Sequence, residues 1–365
     1  MVKQHKYKIR QDKDGRWSTY VKKEGEERKL IRKKTKKELE GFLIKYYDED
    51  HKSFLDAYNE WRSYHDKMVT NSSITKYDSD KKRYFEDRPF SGQHIDALTE
   101  DDIKVFIKEV IDDRSLCQAA IKRLFYYVKD TFDFGLRHGY LKTNPIGYLS
   151  AKDFYKYATK SIRSAKPNVV SDVNIGKLWE KYDEDLSKHP DYVPLYAVKL
   201  AALTGMRAGE LAALKWEDVK SDHIVVCRSQ KYDPLLKEYY ISETKNGEER
   251  IFPITDQIRE LLSHIKRYGG DLYLFGKGDE PITFRVICSC MKNKCRQVGI
   301  ETHGIHAYRK TVNSKMALNG VPVSLRASLL GHSEEVNQKY YTYDVSSIDD
   351  KRKAVALMNT QMNTN

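Results

Sequence analysis

Hydrophobic and polar positions change period along this chain. The N-terminal stretch alternates: YKIR, WSTYV and KLIR read as three short strands, with turns at DKDG and at Glu24-Gly25-Glu26. A helix follows, opened by Thr35 and Glu38 at capping-box spacing and carried by an apolar stripe of Leu39, Phe42, Leu43 and Tyr46. From Ser53 to Asn144 the period is helical throughout, with Ser53 and Thr99 as caps and Gly139 and Pro145 as punctuation. Residues 150–170 keep no sustained period and read as a basic linker. Beyond Ser171 a helix, SDVNIGKLWEKYDEDL, opens a further domain. Its next apolar run, YAVKLAALTGMRAGELAAL, breaks at Thr204-Gly205. Two β-prone segments, DHIVVCRSQ and EYYISETKNGEERIFPI, then carry the pair Asn246-Gly247, a signal for a two-residue hairpin.

This pattern predicts a multidomain chain. A small β-sheet plus helix occupies residues 1–50, an all-α bundle 51–149, and a linker 150–170; a mainly α domain with a β-hairpin, α+β in class, fills 171–365. A length of 365 residues suits two or three separate cores. No apolar run approaches the roughly 20 residues that cross a bilayer, and no apolar stretch follows the charged N-terminus, so a cytoplasmic location is expected. Five cysteines, an odd number, argue against a disulfide framework.

Charge sharpens the picture. The net charge is +12, and residues 1–47 hold sixteen Lys and Arg against seven Asp and Glu. Such an excess fits a polyanion, nucleic acid first and an anionic membrane surface second; a solvated basic face is the plain alternative. Lys8, Arg10 and Arg32 are expected to share an exposed face of the N-terminal sheet. Lys122 and Arg123, with Lys129, mark the basic side of the bundle.

The C-terminal domain holds the candidate chemistry. Arg207 follows the Thr204-Gly205 break at the start of a new helix, where its fork either meets a phosphate or pairs with Glu210 three residues on. Lys245 immediately precedes the expected hairpin turn and so stands on a projecting ribbon. His306 and Arg309 share a helix face. His303 and His306 have the same spacing, but no HExxH pattern completes a metal site. Cys288, Cys290 and Cys295 lack a fourth ligand at zinc spacing; neither a metal nor a cofactor is expected. In GHSEEVNQKYYTYD, Gly331 ends one helix and Ser333 caps the next. Val336, Tyr340 and Tyr343 fall on one stripe, expected to face the core. Tyr341 lies about 100° from Tyr340, on the face of Asn337, and is left for chemistry.

The ordered set TGMRAGEL, TKNGEERIFPI, HAYR and LGHSEEVNQKYYT resembles the tyrosine recombinase (phage integrase) family. The resemblance spans roughly residues 50–360; the N-terminal sheet and helix are similar to the arm-binding domains of conjugative-transposon and some phage integrases. It implies a site-specific recombinase that cleaves and rejoins DNA through a 3′-phosphotyrosine. Tyr341 would be the nucleophile, Arg207 and Arg309 the phosphate clamps, His306 the proton acceptor, His332 a donor to a non-bridging oxygen, and Lys245 the acid for the departing 5′ oxygen. The implied partners are double-stranded DNA at core and arm sites, three further copies of the chain in a tetrameric synapse, and an excisionase or host DNA-bending protein. ATP and metal are not required, since one phosphodiester is exchanged for another. A type IB topoisomerase, or a DNA-binding regulator without chemistry, are the rival readings. One departure from the family pattern is Tyr308-Arg309-Lys310, where many members carry Leu-Arg-His.

Overall fold

The computed structural model describes residues 5–22, 27–48, 52–159, 168–244, 247, 249–346 and 348–362. Its contacts divide the chain into two units, residues 1–162 and 163–365.

Two separate cores lie within the first unit. In one, β1 (Arg10–Gln11), β2 (Trp17–Val21) and β3 (Lys29–Lys33) form an antiparallel sheet in chain order, and α1 (Lys36–Asp48) follows. Val21, Leu39 and Leu43 are buried there, with Trp17, Ile31, Phe42 and Tyr46 packed around them. The Thr35 hydroxyl accepts from the Glu38 N–H while the Glu38 carboxylate accepts from the Thr35 N–H, closing the expected capping box. Of the first expected strand, the described ladder takes in Arg10–Gln11, so Lys8 lies outside it. Arg10 and Arg32 both pair laterally with Ser18 and so share a face. Both also reach the Asp12 carboxylate, at 3.7 and 3.1 Å, which offsets part of their charge.

The second core of this unit belongs to α2 (Phe54–His65), α3 (Asn71–Tyr84), α4 (Glu100–Arg114) and α5 (Gln118–Arg137). Ser53 with Asp56 and Thr99 with Asp102 form reciprocal caps on α2 and α4. The filling is aromatic: Phe90 and Phe106 stack at 4.0 Å, and Phe54, Tyr58, Phe85, Tyr127 and Phe132 are wholly buried. Here the expected linker needs correction, because residues 151–157 form a 3-10 helix whose Phe154 is buried in this core. An apolar anchor with no period is invisible to a pattern search. A second correction concerns Arg123. It is only half exposed and pairs with the fully buried Asp80, which also accepts from Lys76 and Tyr127, whereas Lys122 is exposed.

The second unit begins with α6 (Asp172–Lys188), capped by Ser171, then α7 (Val193–Thr204) and α8 (Ala208–Ala213). A β-ribbon follows. Strands β4 (His223–Val226) and β5 (Arg228–Asp233) run out; β6 (Glu238–Glu243) and β7 (Arg250–Pro253) run back, pairing β5 with β6 and β4 with β7. Then come α9 (Asp256–Tyr268), the short pair β8 (Gly276–Lys277) and β9 (Glu280–Pro281), and α10 (Phe284–Gln297). Helices α11 (Ile305–Leu318), α12 (Val323–Leu330), α13 (Glu334–Tyr341) and α14 (Ile348–Met362) close the chain. The core gathers α7, the inner faces of α9, α10 and α11, and β4, through residues such as Leu200, Ile224, Ile265, Met291 and Tyr308.

The ribbon corrects the hairpin expected at Asn246-Gly247. A two-residue turn there would pair Glu243 with Arg250. Instead Glu243 pairs with Arg228, and Arg250 pairs with Val226. The ribbon turns between Asp233 and Glu238, and on the outgoing side Cys227 alone separates β4 from β5; Asn246 lies outside the described residues. Among the described residues no helix is long and apolar enough to cross a membrane.

Candidate active site

Helix α7 ends at Gly205, whose φ of 68° suits glycine. A Cβ there would meet the Leu330 side chain at 3.0 Å and the Arg309 backbone at 3.3 Å, so Gly205 also lets α11 and α12 close on this turn. Two residues later Arg207, in extended conformation, is the N-cap of α8. Its N–H donates to Glu210 Oε2 at 2.8 Å and its Nη1 to Glu210 Oε1 at 2.7 Å, while Nη2 reaches the Gly331 carbonyl at 3.2 Å. The pairing with Glu210 and the exposure of the fork coexist: 39% of the Arg207 side chain remains open to solvent.

Arg309 sits one turn into α11 and is wholly buried. Its Nη1 donates to the Gly205 carbonyl at 3.0 Å and Nη2 to the Leu330 carbonyl. Nε and Nη2 both donate to His332 Nε2, at 3.2 and 2.8 Å. These partners are neutral. Burial and the neighbouring charge of Arg207 therefore lower its pKa to about 9, against the opposing pull of Glu210. Since His332 Nε2 accepts, its proton is on Nδ1, which is buried without a partner among the described residues. Burial, Arg309 and Arg207 hold His332 at about 3. His306 stays partly open to solvent; burial of the rest, with Arg309, Lys310 and Arg207, holds it at about 4. Both imidazoles are neutral near pH 7.

Tyr341 is the last residue of α13 and is half-buried. Its ring stacks on His332 with centroids 3.9 Å apart and meets His306 edge-on at 5.2 Å; the Arg309 guanidinium carbon lies 5.7 Å from its centroid. The expected seam of α13 is overturned. Val336 is 37% exposed, Tyr340 is 53% exposed, and Tyr343 is only half-buried beyond the helix end. The inward residue is Asn337, so Tyr341, four residues on, faces in with it.

The seat of α13 is polar for a stated reason. Asn337 Nδ2 donates to Asn313 Oδ1 at 2.8 Å, and Arg326 Nη1 donates to Asn337 Oδ1 and to the Thr342 hydroxyl. The Ser314 hydroxyl donates to the Tyr341 carbonyl and accepts from the Tyr343 N–H. These groups satisfy one another, which is what lets polar side chains hold a core position. Tyr308, at the departure from the family pattern, is buried with its hydroxyl 2.7 Å from that of Tyr182; Lys310 donates to the Tyr343 hydroxyl.

Five of the six expected catalytic residues thus converge: Arg207, His306, Arg309, His332 and Tyr341. The sixth, Lys245, lies outside the described residues. Lys8, Arg10, Arg32, Lys122 and Arg123 belong to the first unit. Sequence reasoning passed over Glu210 as a surface partner, and it passed over Arg250 and the Asn313–Asn337 pair. Glu210 is 2% exposed, with a carboxyl near 2: burial alone would raise it, and Arg250, Arg207 and Arg309 overcome that. Among the described residues no cluster of His, Cys, Asp or Glu is arranged to hold a metal ion.

Residues 175–346 match the model of the phage integrase family. A tyrosine recombinase XerC-like protein of Caldanaerobacter subterraneus subsp. tengcongensis is 24% identical, over 79% of this chain and 78% of its own length. Tyrosine recombinase XerC of Treponema denticola is also 24% identical, over 76% of this chain and 90% of its own. Among solved structures, the Tn1549 transposon integrase in complex with transposon right end DNA shares the fold with a TM-score of 0.66 at 16% identity, covering 84% of this chain and 100% of that one. A lambda integrase dimer bound to a core site gives a TM-score of 0.60 at 16% identity, covering 93% and 97%. Residues 175–346 thus carry a phage integrase family domain, and the relatives and solved structures together support a tyrosine recombinase.

Proposed function

We propose that the protein is a site-specific DNA recombinase that cuts and rejoins DNA through a covalent bond to Tyr341. The observation that carries this reading is the placement of the Tyr341 ring against His332 and His306, beside two guanidiniums whose charge a single buried carboxylate does not balance. A free phenol has a pKa near 10, so about one in a thousand is ionised at pH 7. A phosphodiester also repels an anionic nucleophile and gathers charge on its oxygens as phosphorus becomes five-coordinate. Arg207 and Arg309 supply that countercharge, Arg309 from a position shut off from water and Arg207 from the open edge of the site.

In the proposed step the Tyr341 oxygen bonds to phosphorus and the bond from phosphorus to the 5′ oxygen breaks. The tyrosine proton passes to neutral His306, whose basicity rises once the anionic phosphate offsets its cationic neighbours. The 5′ oxygen takes a proton from Lys245, the role that the family resemblance assigns it. His332 donates from Nδ1–H to a non-bridging oxygen. Attack by a 5′-hydroxyl of a second duplex reverses these transfers and seals the new strand.

Residues 1–50 are assigned to accessory (arm) DNA, residues 51–149 to the core site, and the working assembly to a tetramer on paired sites. The Tn1549 integrase has been solved on circular intermediate DNA, and lambda integrase as a tetramer on a Holliday junction. Those complexes favour a mobile element and a multimeric synapse for this chain as well.

A nicked suicide duplex carrying the native site tests the chemistry. Wild type is expected to form an SDS-resistant protein–DNA adduct, Tyr341→Phe none, and Tyr340→Phe the wild-type amount; an adduct surviving in Tyr341→Phe removes the assignment. Two matched sites on one plasmid test the outcome. Relaxed circles without recombinant product would make the protein a topoisomerase instead.

A further inference from the structure

Arg250 opens β7, immediately after the segment that contains Lys245, and only 9% of its side chain is exposed. Its fork grips Glu210 with two prongs, Nη1 to Oε1 at 3.0 Å and Nη2 to Oε2 at 2.6 Å. Nε donates to the Leu329 carbonyl at 3.0 Å, and the guanidinium lies beneath Gly331, where an added Cβ would come within 3.3 Å of it. Gly331 takes φ 63° and is followed by His332. One side chain therefore touches the carboxylate that holds Arg207 and the turn that carries His332.

The charges around Glu210 show what this contact does. Three guanidiniums, Arg207, Arg250 and Arg309, surround one carboxylate. With Arg250 on both oxygens of Glu210, the fork of Arg207 meets the carboxylate through Nη1 alone, and part of its charge is left over for a ligand. If Arg250 were absent, Glu210 would still be buried, with Arg207 as its hydrogen-bonded cation. Its two oxygens would then close on Arg207 as a neutral fork-to-fork pair. Arg207 would turn from the phosphate, and the site would face a developing dianion with Arg309 alone.

Resting on the recombinase reading above, we propose that Arg250 is a positioning residue for strand cleavage: by taking both oxygens of Glu210 it limits that carboxylate to a single prong of the Arg207 fork, so that Arg207 keeps charge for the scissile phosphodiester, and it fixes the turn that presents His332. Arg250 touches no reacting atom; it acts through Glu210 and through the Leu329 carbonyl.

The test is single-turnover cleavage of the nicked suicide duplex by the full chain, with noncovalent affinity measured separately on intact duplex. Arg250→Ala is expected to lower the cleavage rate by about fiftyfold or more while affinity stays within about threefold. Adding Glu210→Gln to Arg250→Ala removes the carboxylate that captures Arg207 and is expected to restore at least about tenfold of that loss. A merely structural role gives no such rescue, because the double variant has lost more contacts than the single one. Arg250→Lys keeps the charge without the fork and is expected to remain at least about fivefold slow. Wild-type cleavage in either single variant, or absence of rescue, overturns the proposal. Should Arg250→Ala fail to fold, Arg250→Lys with and without Glu210→Gln decides the matter by the same criteria. If wild type forms no adduct, the recombinase reading fails, and this inference with it; if wild type forms adduct and Arg250→Ala matches it, only this inference fails.

Discussion

Two buried arginines in this protein are held in opposite ways. Arg62, in α2 of the bundle, is 6% exposed and donates Nε and Nη2 to Asp66 at 2.7 and 2.8 Å and Nη2 to Asp78 at 2.9 Å. Burial works against its charge, but Asp66, Tyr58 and Asp78 more than compensate, and its pKa is raised. Arg309, wholly buried, has carbonyls and a neutral imidazole for partners and another guanidinium near by, and its pKa is lowered. Arg62 arrives with its counterions; Arg309, proposed above to meet the phosphate, is kept short of them. The shortage is paid for by folding and offset when an anion arrives.

The strongest way to break this contrast is to replace each guanidinium with a flexible apolar chain. Arg309→Met is expected to lower suicide-duplex cleavage by about a thousandfold or more, in the range of lost oxyanion donors, whereas folded Arg62→Met should cleave at close to the wild-type rate. Comparable losses in both would mean that the two sites are not different in kind. Stability should reverse the order. Arg62→Met leaves Asp66 and Asp78 without their partner and is expected to cost on the order of 3 kcal/mol by denaturant unfolding. Arg309→Met relieves charge repulsion while losing hydrogen bonds, and a change within about 1 kcal/mol is expected.

An added anion sharpens the contrast further. Inorganic phosphate at about a hundred times its dissociation constant should stabilise the wild-type fold by about 2.7 kcal/mol through linkage. In Arg309→Met that gain should vanish, and in Arg62→Met it should persist; equal gains in all three would place the anion elsewhere. The smallest effect is a titration. His306 and His332 have folded pKa values depressed to about 4 and 3, so the native state resists protons that the unfolded chain accepts. Stability is complete above about pH 6.5 and falls as pH drops towards 4 and below. Binding the duplex should move the His306 resonance midpoint upward, as an anion offsets Arg309 and Arg207. A midpoint unchanged by DNA would take His306 away from the phosphate.

Much of this site could be read from the chain because its parts are local. The Arg207 break depends on Thr204-Gly205, the His306–Arg309 pair on one helical turn, and the α13 start on Gly331 and Ser333. The misreadings share a cause, which is partnership across long separations. Asn337 looks like a surface residue until Asn313 and Arg326 are brought to it from α11 and α12, and this rotates the inward face of α13 onto Tyr341. Asn246-Gly247 signals a turn locally, but the register of the ribbon follows from β4 and β5 across the ladder. Arg250 looks like one charge in a segment of mixed sign, and its partners are visible only when Glu210 and Leu329 stand beside it.

The Ser314 hydroxyl spans the proposed nucleophile, bonded to the carbonyl of Tyr341 on one side and to the N–H of Tyr343 on the other. In the proposed intermediate the severed DNA end hangs from Tyr341, so any tug on that end is transmitted through Ser314 into α11. The same helix bears His306 and Arg309. The cut strand and two of the groups proposed to reseal it are thus moored to a single beam, so that tension on the DNA shifts these together rather than drawing them apart.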